Sequence, residues 1–170
     1  MSKERLNQYE QAERSLGTQM FNTFNKSIEA YQFTQPNSRK GYDGTYKTIN
    51  TDSSTFFEIK VRNTAIDQYP DYILQADKAD SLSKWHNQGF DVKYINFFIN
   101  ESGTYDAIIF DLNYRIEQWR KMGQENVLID KWMNAATFQG DAKVSKKVIM
   151  IKFDPMIDMR IENTNWKILN

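Results

Sequence analysis

Two acidic residues and a lysine mark residues 41–62, a stretch that predicts two strands joined by a short polar turn. Asp43 begins the first predicted strand. Glu58 and Lys60 lie two residues apart in the second, so their side chains point to the same face of the sheet. Carboxylate oxygens bind Mg²⁺, and a lysine ammonium can offset the negative charge that develops on a phosphate. The three residues therefore predict a site that holds a divalent cation beside a phosphodiester.

The register of this hairpin decides whether both carboxylates reach one cation. A turn centred on residues 50–53 pairs residues whose numbers sum to about 103, which puts Asp43 opposite Lys60 and diagonal to Glu58. Diagonal neighbours on one face have Cβ atoms about 7–8 Å apart. The alternation of apolar and charged residues in the second strand supports this register, because a slip of one residue would bury the charges.

This arrangement resembles the PD-(D/E)xK nuclease superfamily, which has the restriction-endonuclease-like fold. Asp43-Gly44 matches the aspartate that begins one strand of the family motif, and Glu58-Ile59-Lys60 matches the Glu/Asp-x-Lys of the next strand. Tyr42 stands where the name of the motif has proline. The resemblance covers about residues 5–112, in the order helix, hairpin, helix, strand, strand. It implies an α/β fold with a mixed central β-sheet flanked by helices.

The same resemblance implies a chemistry and a partner. Asp43, Glu58 and the backbone carbonyl of Ile59 are expected to hold Mg²⁺ (or Mn²⁺), and Lys60 to orient the attacking water. The expected activity is hydrolysis of phosphodiester bonds, most simply as a DNA endonuclease that leaves 5′-phosphate and 3′-hydroxyl ends. DNA is therefore the expected partner. A homodimer is a further expectation, because cutting both strands of a duplex needs two sites.

An acidic residue interrupts the apolar stripe of the first predicted helix, residues 4–32. Glu13 lies where the helical spacing predicts an apolar residue. A carboxylate on a core-facing stripe needs a partner or a cation, and in the resembled family an acid on the first helix often joins the metal site. Glu13 is thus expected among the metal ligands and catalytic residues, with Glu10 and Glu29 as rivals. Alternatively, the first helical turns protrude and Glu13 is solvated.

The second predicted helix, residues 70–88, carries a lysine within its apolar stripe. Lys78 lies at helical spacing between Leu74 and Leu82, and Gln75 precedes it by one turn. A lysine in this position either extends to solvent or reaches a buried acid or a phosphate. Many proteins of the resembled family carry a Gln, Glu or Lys on this helix, so Gln75 and Lys78 are expected to belong to the catalytic set.

Three residues near the hairpin are expected to bind the substrate. Arg62 ends the second strand, Tyr69 lies in the loop of residues 63–70, and Lys47 lies on the first strand. Loops beside an active strand often contact substrate, and cationic side chains bind phosphates. The alternative is that the tyrosine packs against the core and the two cations are solvated.

The remaining sequence predicts further strands and one helix. Strands are expected at 91–100, 105–112 and 146–154, with a possible last strand at 165–169, and a helix is expected at 113–122, while 126–139 fits neither pattern. A chain of 170 residues predicts one domain. The expected organisation is a single nuclease-like domain over 1–170, with a motif-bearing core at about 5–112 and a strand-containing extension at 113–170.

Composition excludes several kinds of site. The chain has no cysteine, which excludes disulfides and thiolate metal sites, and its single histidine excludes a zinc site built from several histidines. A net charge of zero argues against indiscriminate nucleic-acid binding. No apolar run approaches the roughly 18 residues of a membrane span, and no apolar signal segment follows the N-terminus. The expected location is the cytoplasm of a bacterium or of a phage-infected host.

Other interpretations are open. Asp-x-Lys recurs at Asp91–Lys93 and Asp141–Lys143, where no Asp-Gly strand precedes it. Alternating charge on an exposed strand face would account for Glu58 and Lys60 without any chemistry. The chain is alternatively an inactive member of the same fold that binds nucleic acid or protein. A further alternative is a structural or interaction protein of a phage or mobile element, whose N-terminal helix mediates assembly.

Overall fold

Helices and strands alternate along the described part of the chain. The computed structural model describes residues 3–35, 38, 40–134, 143–162 and 164–168. The helices are Lys3–Thr23 (α1), Ala76–His86 (α2), Leu112–Met122 (α3) and Gln124–Val127 (α4). The strands are Ile28–Phe33 (β1), Gly44–Thr48 (β2), Ser54–Arg62 (β3), Tyr72–Gln75 (β4), Asp91–Ile99 (β5), Tyr105–Asp111 (β6), Leu128–Asn134 (β7), Lys143–Ile151 (β8) and Met159–Ile161 (β9).

A six-stranded mixed sheet forms the centre of the fold, in the order β1-β2-β3-β5-β6-β9. β3 and β5 are parallel, and the other neighbouring pairs are antiparallel. Parallel neighbours need a crossover connection, which β4 and α2 supply between β3 and β5. The predicted fold class, α/β with a mixed central sheet flanked by helices, is confirmed.

Alternation along β3 explains why both faces of this sheet are covered. Phe57 and Ile59 point to one face and pack with Leu16 and Met20 of α1. Phe56 points to the other face, where residues of α2, α3, β4 and β8 complete a second apolar cluster. All five of these side chains are buried. The two layers thus remove apolar surface from water on both sides of the sheet, which is the dominant stabilising term in folding.

A separate three-stranded sheet, in the order β4-β8-β7, adds the C-terminal third to the second layer. Leu74 of β4 pairs with Ile149 of β8, and both belong to the apolar cluster beneath α2. The C-terminal segment also holds α1, since the Gln19 side chain donates to the Lys167 carbonyl (2.7 Å). The sequence did not predict this sheet, because β4 has helical spacing and lies far from β7 and β8 in the chain.

The first helix ends earlier than predicted. α1 stops at Thr23, and Ile28–Phe33 form β1 rather than the last turns of a helix over 4–32. Ile28 and Tyr31 do match helical spacing, but β1 is held in an antiparallel ladder with β2. The Asn and Thr residues at 22–25 are weak helix formers, so the ladder prevails over the spacing.

The second predicted helix, residues 70–88, is also divided. Tyr72–Gln75 form β4, and α2 covers Ala76–His86. Tyr72 and Leu74 are both buried, as the alternation of a strand requires. Pairing with β8 satisfies the backbone of this segment. A tertiary partner again overrides the helical pattern.

The predictions for the second half of the chain are mostly confirmed. The strands expected at 91–100, 105–112 and 146–154 are β5, β6 and β8, and the helix expected at 113–122 is α3. The possible strand at 165–169 is wrong for the described residues 164–168, and β9 pairs with β6 instead. The ambiguous segment 126–139 contains the end of α4 and β7, and its residues beyond 134 lie outside the described ones. No described helix is both long and apolar enough to cross a membrane.

Gly44 lies where β1, β2 and β3 leave no room for a side chain. A Cβ on Gly44 would lie 2.5 Å from the carbonyl oxygen of Gln32 and 2.5 Å from the ring of Phe57. A backbone oxygen cannot move aside without distorting its strand. Gly44→Ala is therefore expected to lower the free energy of unfolding by about 2–3 kcal/mol, measured by chemical denaturation.

Gly103→Ala is the matched control for this substitution. A Cβ on Gly103 would meet nothing within 4 Å, so only its positive φ of 75° opposes the change. That conformation costs an L-residue about 1 kcal/mol. Equal destabilisation by the two substitutions would contradict the packing explanation at Gly44.

Candidate active site

The edge of β3 is open at one end because β2 is shorter. β2 begins at Gly44, which pairs with Phe57, and β3 continues beyond that pair. Asp43 lies at this point. Its backbone N–H donates to the Phe57 carbonyl (2.8 Å), and its carboxylate Oδ2 accepts the Ile59 N–H (2.7 Å). The carboxylate thus replaces a strand partner at the edge of the sheet.

The hairpin register differs by two residues from the predicted one. Gly44 pairs with Phe57, so Asp43 extends the register opposite Glu58, and the prediction that it faces Lys60 is wrong. An even shift preserves the faces of the strand. Residues directly opposite each other have Cβ atoms about 4.5–5.5 Å apart, closer than diagonal neighbours. The observed register therefore brings the two carboxylates nearer than predicted.

The Ile59 carbonyl faces the same edge as Asp43. In a strand the N–H and C=O of one residue point to the same side, and the Ile59 N–H points at the Asp43 carboxylate. The Ile59 side chain is 1% exposed and packs in the α1 layer, which fixes the position of this backbone segment. Asp43, Glu58 and the Ile59 carbonyl, the expected cation ligands, thus lie around one short stretch of the β3 edge.

Glu58 is a buried carboxylate whose two oxygens differ. Its side chain is 8% exposed, and Oε1 lies 2.7 Å from the Lys78 ammonium. Oε2 is buried and has no hydrogen-bond partner among the described residues. Burial and the neighbouring Asp43 raise the pKa of Glu58 to about 8, although Lys78 lowers it. A buried oxygen without a partner is rare in folded proteins, and here it indicates a place for a proton or a cation.

Glu13 approaches the same edge from α1. Its carboxylate lies 3.5 Å from the Lys60 ammonium, and its side chain is 15% exposed. Burial raises the pKa of Glu13 to about 7, Lys60 lowers it, and Asp43 raises it. Gly17, one turn later, lets α1 lie this close, because a Cβ there would be 2.8 Å from Ile59 Cδ1. The alternative of a solvated Glu13 on a protruding turn is therefore wrong.

The carboxylates and lysines form one electrostatic group. Burial raises the pKa of Asp43, while the Ile59 N–H and then the ammonium groups of Lys78 and Lys60 lower it. Burial lowers the pKa of Lys78, but attraction to Glu58 and Asp43 outweighs this effect and raises it. Several perturbed groups in one place are typical of functional sites.

Two recesses open on either side of this group. One contains Glu13 and Asp43, together with Glu10, the rival acid from the same helix. The other contains Glu58, Lys60, Gln75 and Lys78. Gln75 lies at the end of β4, just before α2, and not inside a helix as predicted. Lys78 reaches a buried acid, which was one of the two alternatives for a lysine in an apolar stripe.

The predicted substrate contacts separate into different places. The Arg62 guanidinium donates to the Ile73 carbonyl and the Tyr94 hydroxyl, both at 2.8 Å, and to Asn96 Oδ1 at 3.1 Å. Arg62 therefore fastens β3 to β4 at the rim of the second recess. Tyr69 is 58% exposed on the loop between these strands, which leaves its predicted role untested.

Lys47 and Glu29 lie away from the site. Lys47 pairs with Ser54, roughly 13 Å along β3 from Glu58 at about 3.4 Å per residue. Its ammonium lies 3.6 Å from Glu29 in an exposed ion pair. This position removes Glu29 as a rival of Glu13, whereas the predicted substrate-binding role of Lys47 stays a prediction.

Sequence reasoning missed two residues that border the site. Arg14 lines the recess of Glu13 and Asp43, and it donates to the Thr34 carbonyl at 2.6 Å. Tyr94 is the register neighbour of Glu58 on β5 and lines the other recess. Arg14 could have been found from the sequence, because it follows Glu13. Tyr94 could not, because only the pairing of β3 with β5 places it beside Glu58.

The other Asp-x-Lys sequences do not reproduce this arrangement in the described residues. Lys93 forms an ion pair with Asp111 at 2.5 Å, and Asp91 accepts a hydrogen bond from Asn113. These contacts fasten β5 to β6 and α3. Asp141 lies outside the described residues.

The oxygen atoms of Asp43, Glu58 and Ile59 fit a hard divalent cation that keeps several of its waters. Among the described residues, no group of three or more His, Cys, Asp or Glu side chains is close enough to hold a metal ion. Mg²⁺ does not need such a group, since it is usually bound through one or two carboxylates and keeps several waters. Asp43, Glu58 and the Ile59 carbonyl meet that requirement. Glu13 contacts Lys60 and is not a third member of a preformed carboxylate cluster.

The chain has a structural likeness to a known protein but no match in sequence. No family model matches the chain, and no curated protein matches it in sequence. Among solved structures, the chain is similar to Hjc from Archaeoglobus fulgidus, a Holliday junction resolvase from an archaeal hyperthermophile. The two are 11% identical, the similarity covers 83% of each chain, and the TM-score is 0.45.

Proposed function

We propose that this chain is a divalent-metal-dependent nuclease that hydrolyses phosphodiester bonds in DNA. One observation carries the proposal: Asp43 and Glu58 lie side by side at an open strand edge, and Glu58 keeps a buried oxygen without a partner. Folding alone does not favour such a group, because burying like charges is costly. The PD-(D/E)xK sequence pattern and the observed placement of its residues agree.

Asp43, Glu58 and the Ile59 carbonyl would hold Mg²⁺ or Mn²⁺. The cation would polarise the scissile phosphate and lower the pKa of a bound water. The chain supplies the geometry, since the hydrogen bond from the Ile59 N–H holds the Asp43 carboxylate against β3. Glu58 is held from α2 by Lys78.

Lys60 is assigned to orient the attacking water and to offset the negative charge that develops on the phosphate. Its side chain is 31% exposed, and Glu13 holds its ammonium from the α1 side. Glu13 is therefore a positioning residue in this proposal. Lys78, 35% exposed on a flexible stem, neutralises Glu58 and is free to turn toward a substrate phosphate in the same recess. Gln75 presents its amide there as a further donor.

Nicking of supercoiled plasmid DNA tests the proposed activity. The wild-type chain is expected to convert supercoiled to open-circular DNA in Mg²⁺ or Mn²⁺ and to be inactive in a chelator. Single-stranded DNA, duplex DNA and RNA of one sequence, assayed in parallel, define the substrate. Activity that persists in the chelator would sink the metal-dependent mechanism. Sedimentation of the chain tests the expected homodimer.

Asp43→Asn is expected to abolish divalent-cation binding, because it removes one of two charges from the donor set while keeping the shape of the side chain. Isothermal titration with Mn²⁺ measures the loss. Glu29→Gln is the matched control, since Glu29 is 55% exposed in its ion pair with Lys47, away from the site. Unchanged Mn²⁺ affinity in Asp43→Asn would place the cation elsewhere.

A catalytically inactive protein of the same fold is the second candidate. The observation that favours it is the Lys78 ammonium, 2.7 Å from Glu58, which already neutralises one proposed ligand. In that case the wild-type chain binds DNA but neither nicks it nor binds Mn²⁺. The nicking and titration experiments separate the two candidates.

A further inference from the structure

A large aromatic side chain is exposed on the hairpin of β7 and β8. Trp132 lies within β7, and its side chain is 71% exposed. Tryptophan normally buries most of its surface, and Tyr and Trp side chains are enriched at binding interfaces. Trp132 pairs with Ser145 across the hairpin, so a small neighbour leaves its ring open to an incoming partner.

The same hairpin is basic in a chain with no net charge. Its two strands carry four lysines and one aspartate, and the aspartate, Asp130, is paired with Lys147 at 2.8 Å. Lys131 and Lys146 lie directly opposite each other. This register places two cationic side chains side by side on one face of the hairpin, where they can bind the phosphates of a nucleic acid.

The hairpin is continuous with the candidate active site. Met133 of β7 lines the recess that contains Glu58, Gln75 and Lys78. Lys131 shares the face of Met133, whereas Trp132 points to the opposite face. β7 is the outer strand of the three-stranded sheet, so a ligand that leaves the recess must pass around this strand to reach Trp132.

The route from the recess around β7 to Trp132 determines which kind of nucleic acid can bind. Duplex DNA has a persistence length of about 150 base pairs and does not turn around one strand of a hairpin. A single strand is flexible, its phosphates bind lysines, and its bases stack on aromatic rings. The surface therefore matches an unpaired strand in charge, in shape and in the chemistry of the exposed ring.

We propose that the β7–β8 hairpin binds an unpaired DNA segment next to the cleaved phosphodiester, with a base stacked on Trp132. The nuclease accordingly prefers DNA that has a single-stranded segment beside the cleavage point over continuous duplex. This preference rests on the proposed function, whereas the binding itself does not and is tested separately.

Binding of a fluorescent single-stranded oligonucleotide to the full chain in a chelator tests the proposal. Trp132→Ala is expected to weaken binding roughly 5–100-fold, as the loss of one stacked base does. Trp132→Phe is expected to keep most of the affinity, because a ring remains. Tyr114→Ala is the matched control, since Tyr114 is an exposed aromatic residue on α3 (56%). Duplex of the same sequence is expected to bind more weakly and to be insensitive to Trp132→Ala.

Three results would overturn the inference. One is unchanged affinity of folded Trp132→Ala for the single strand, with folding checked by circular dichroism. Another is tighter binding of RNA than of DNA of the same sequence. The last is loss of self-association in Trp132→Ala with no change in DNA binding, which would assign the surface to a second copy of the chain. Trp132-dependent binding without any cleavage would instead reject the proposed function and leave this inference in place.

Discussion

Lys60→Ala is expected to lower the rate of plasmid nicking at least roughly 100-fold, as the loss of one preorganised charge in an active site does. Lys60 lies on β3 between the two recesses, and its ammonium is the group that Glu13 holds at 3.5 Å. The variant should still fold, because the lysine is partly exposed and Glu13, whose pKa is already about 7, can become protonated. Initial nicking rates in Mg²⁺ measure the effect, with circular dichroism as the check on folding.

Lys93→Ala is the matched control for this substitution. Lys93 belongs to another Asp-x-Lys sequence, but its ammonium is paired with Asp111 on β6, away from the site. Its removal is expected to leave nicking close to the wild-type rate. Full activity of folded Lys60→Ala would reject the assignment of Lys60 and favour Lys78 as the essential cation.

Glu58→Gln is expected to stabilise the metal-free protein at pH 8 by roughly 4 kcal/mol while abolishing activity. The pKa of Glu58 is raised from its ordinary value of 4.5 to about 8 by burial and by Asp43. The folded state therefore opposes ionisation of Glu58, and each pKa unit corresponds to about 1.4 kcal/mol. Glutamine keeps the size of the side chain without this charge.

The pH dependence gives the sign of the effect. Because the folded pKa lies above the unfolded one, the wild-type protein gains stability as pH falls from about 8, and the gain is complete below about pH 4.5, where Glu58 is protonated in both states. The advantage of Glu58→Gln should accordingly be close to its maximum at pH 8 and vanish below about pH 4.5. Urea denaturation in a chelator at several pH values measures it.

Glu117→Gln serves as the control for the stability measurement. Glu117 is an exposed acid whose pKa is lowered by its hydrogen bond from His86 and by nearby cations. Its substitution should give no gain at pH 8. A pH-independent change in stability on Glu58→Gln would show that the side chain is not held in a site that opposes its charge.

Local patterns made the centre of the site predictable. Alternation along β3 predicts which side chains share a face with Glu58, and Asp43 lies within one hairpin of it. Glu13 and Lys78 were also accessible, because each interrupts an apolar stripe and a buried charge needs a partner. The structure supplies those partners as Lys60 and Glu58.

Tertiary pairing made the rest unpredictable. The segment around Tyr72 has helical spacing, yet it forms β4 because β8 supplies a ladder from a distant part of the chain. One hydrogen bond of Arg62 depends on the same event, since its guanidinium reaches the Ile73 carbonyl in β4. The register error of two residues arose because the turn of the hairpin is polar throughout and does not mark its own centre.

The pairing of β4 with β8 has a consequence for the order in which the protein is made. The ribosome makes Asp43, Glu58, Lys60 and Lys78 before it makes β8. β4, which leads into the helix of Lys78, obtains its ladder when β8 emerges, and Gln19 of α1 obtains its C-terminal partner later still. A nascent chain therefore carries the residues of the site well before it holds them in place, and the site takes shape only once β8 has been made.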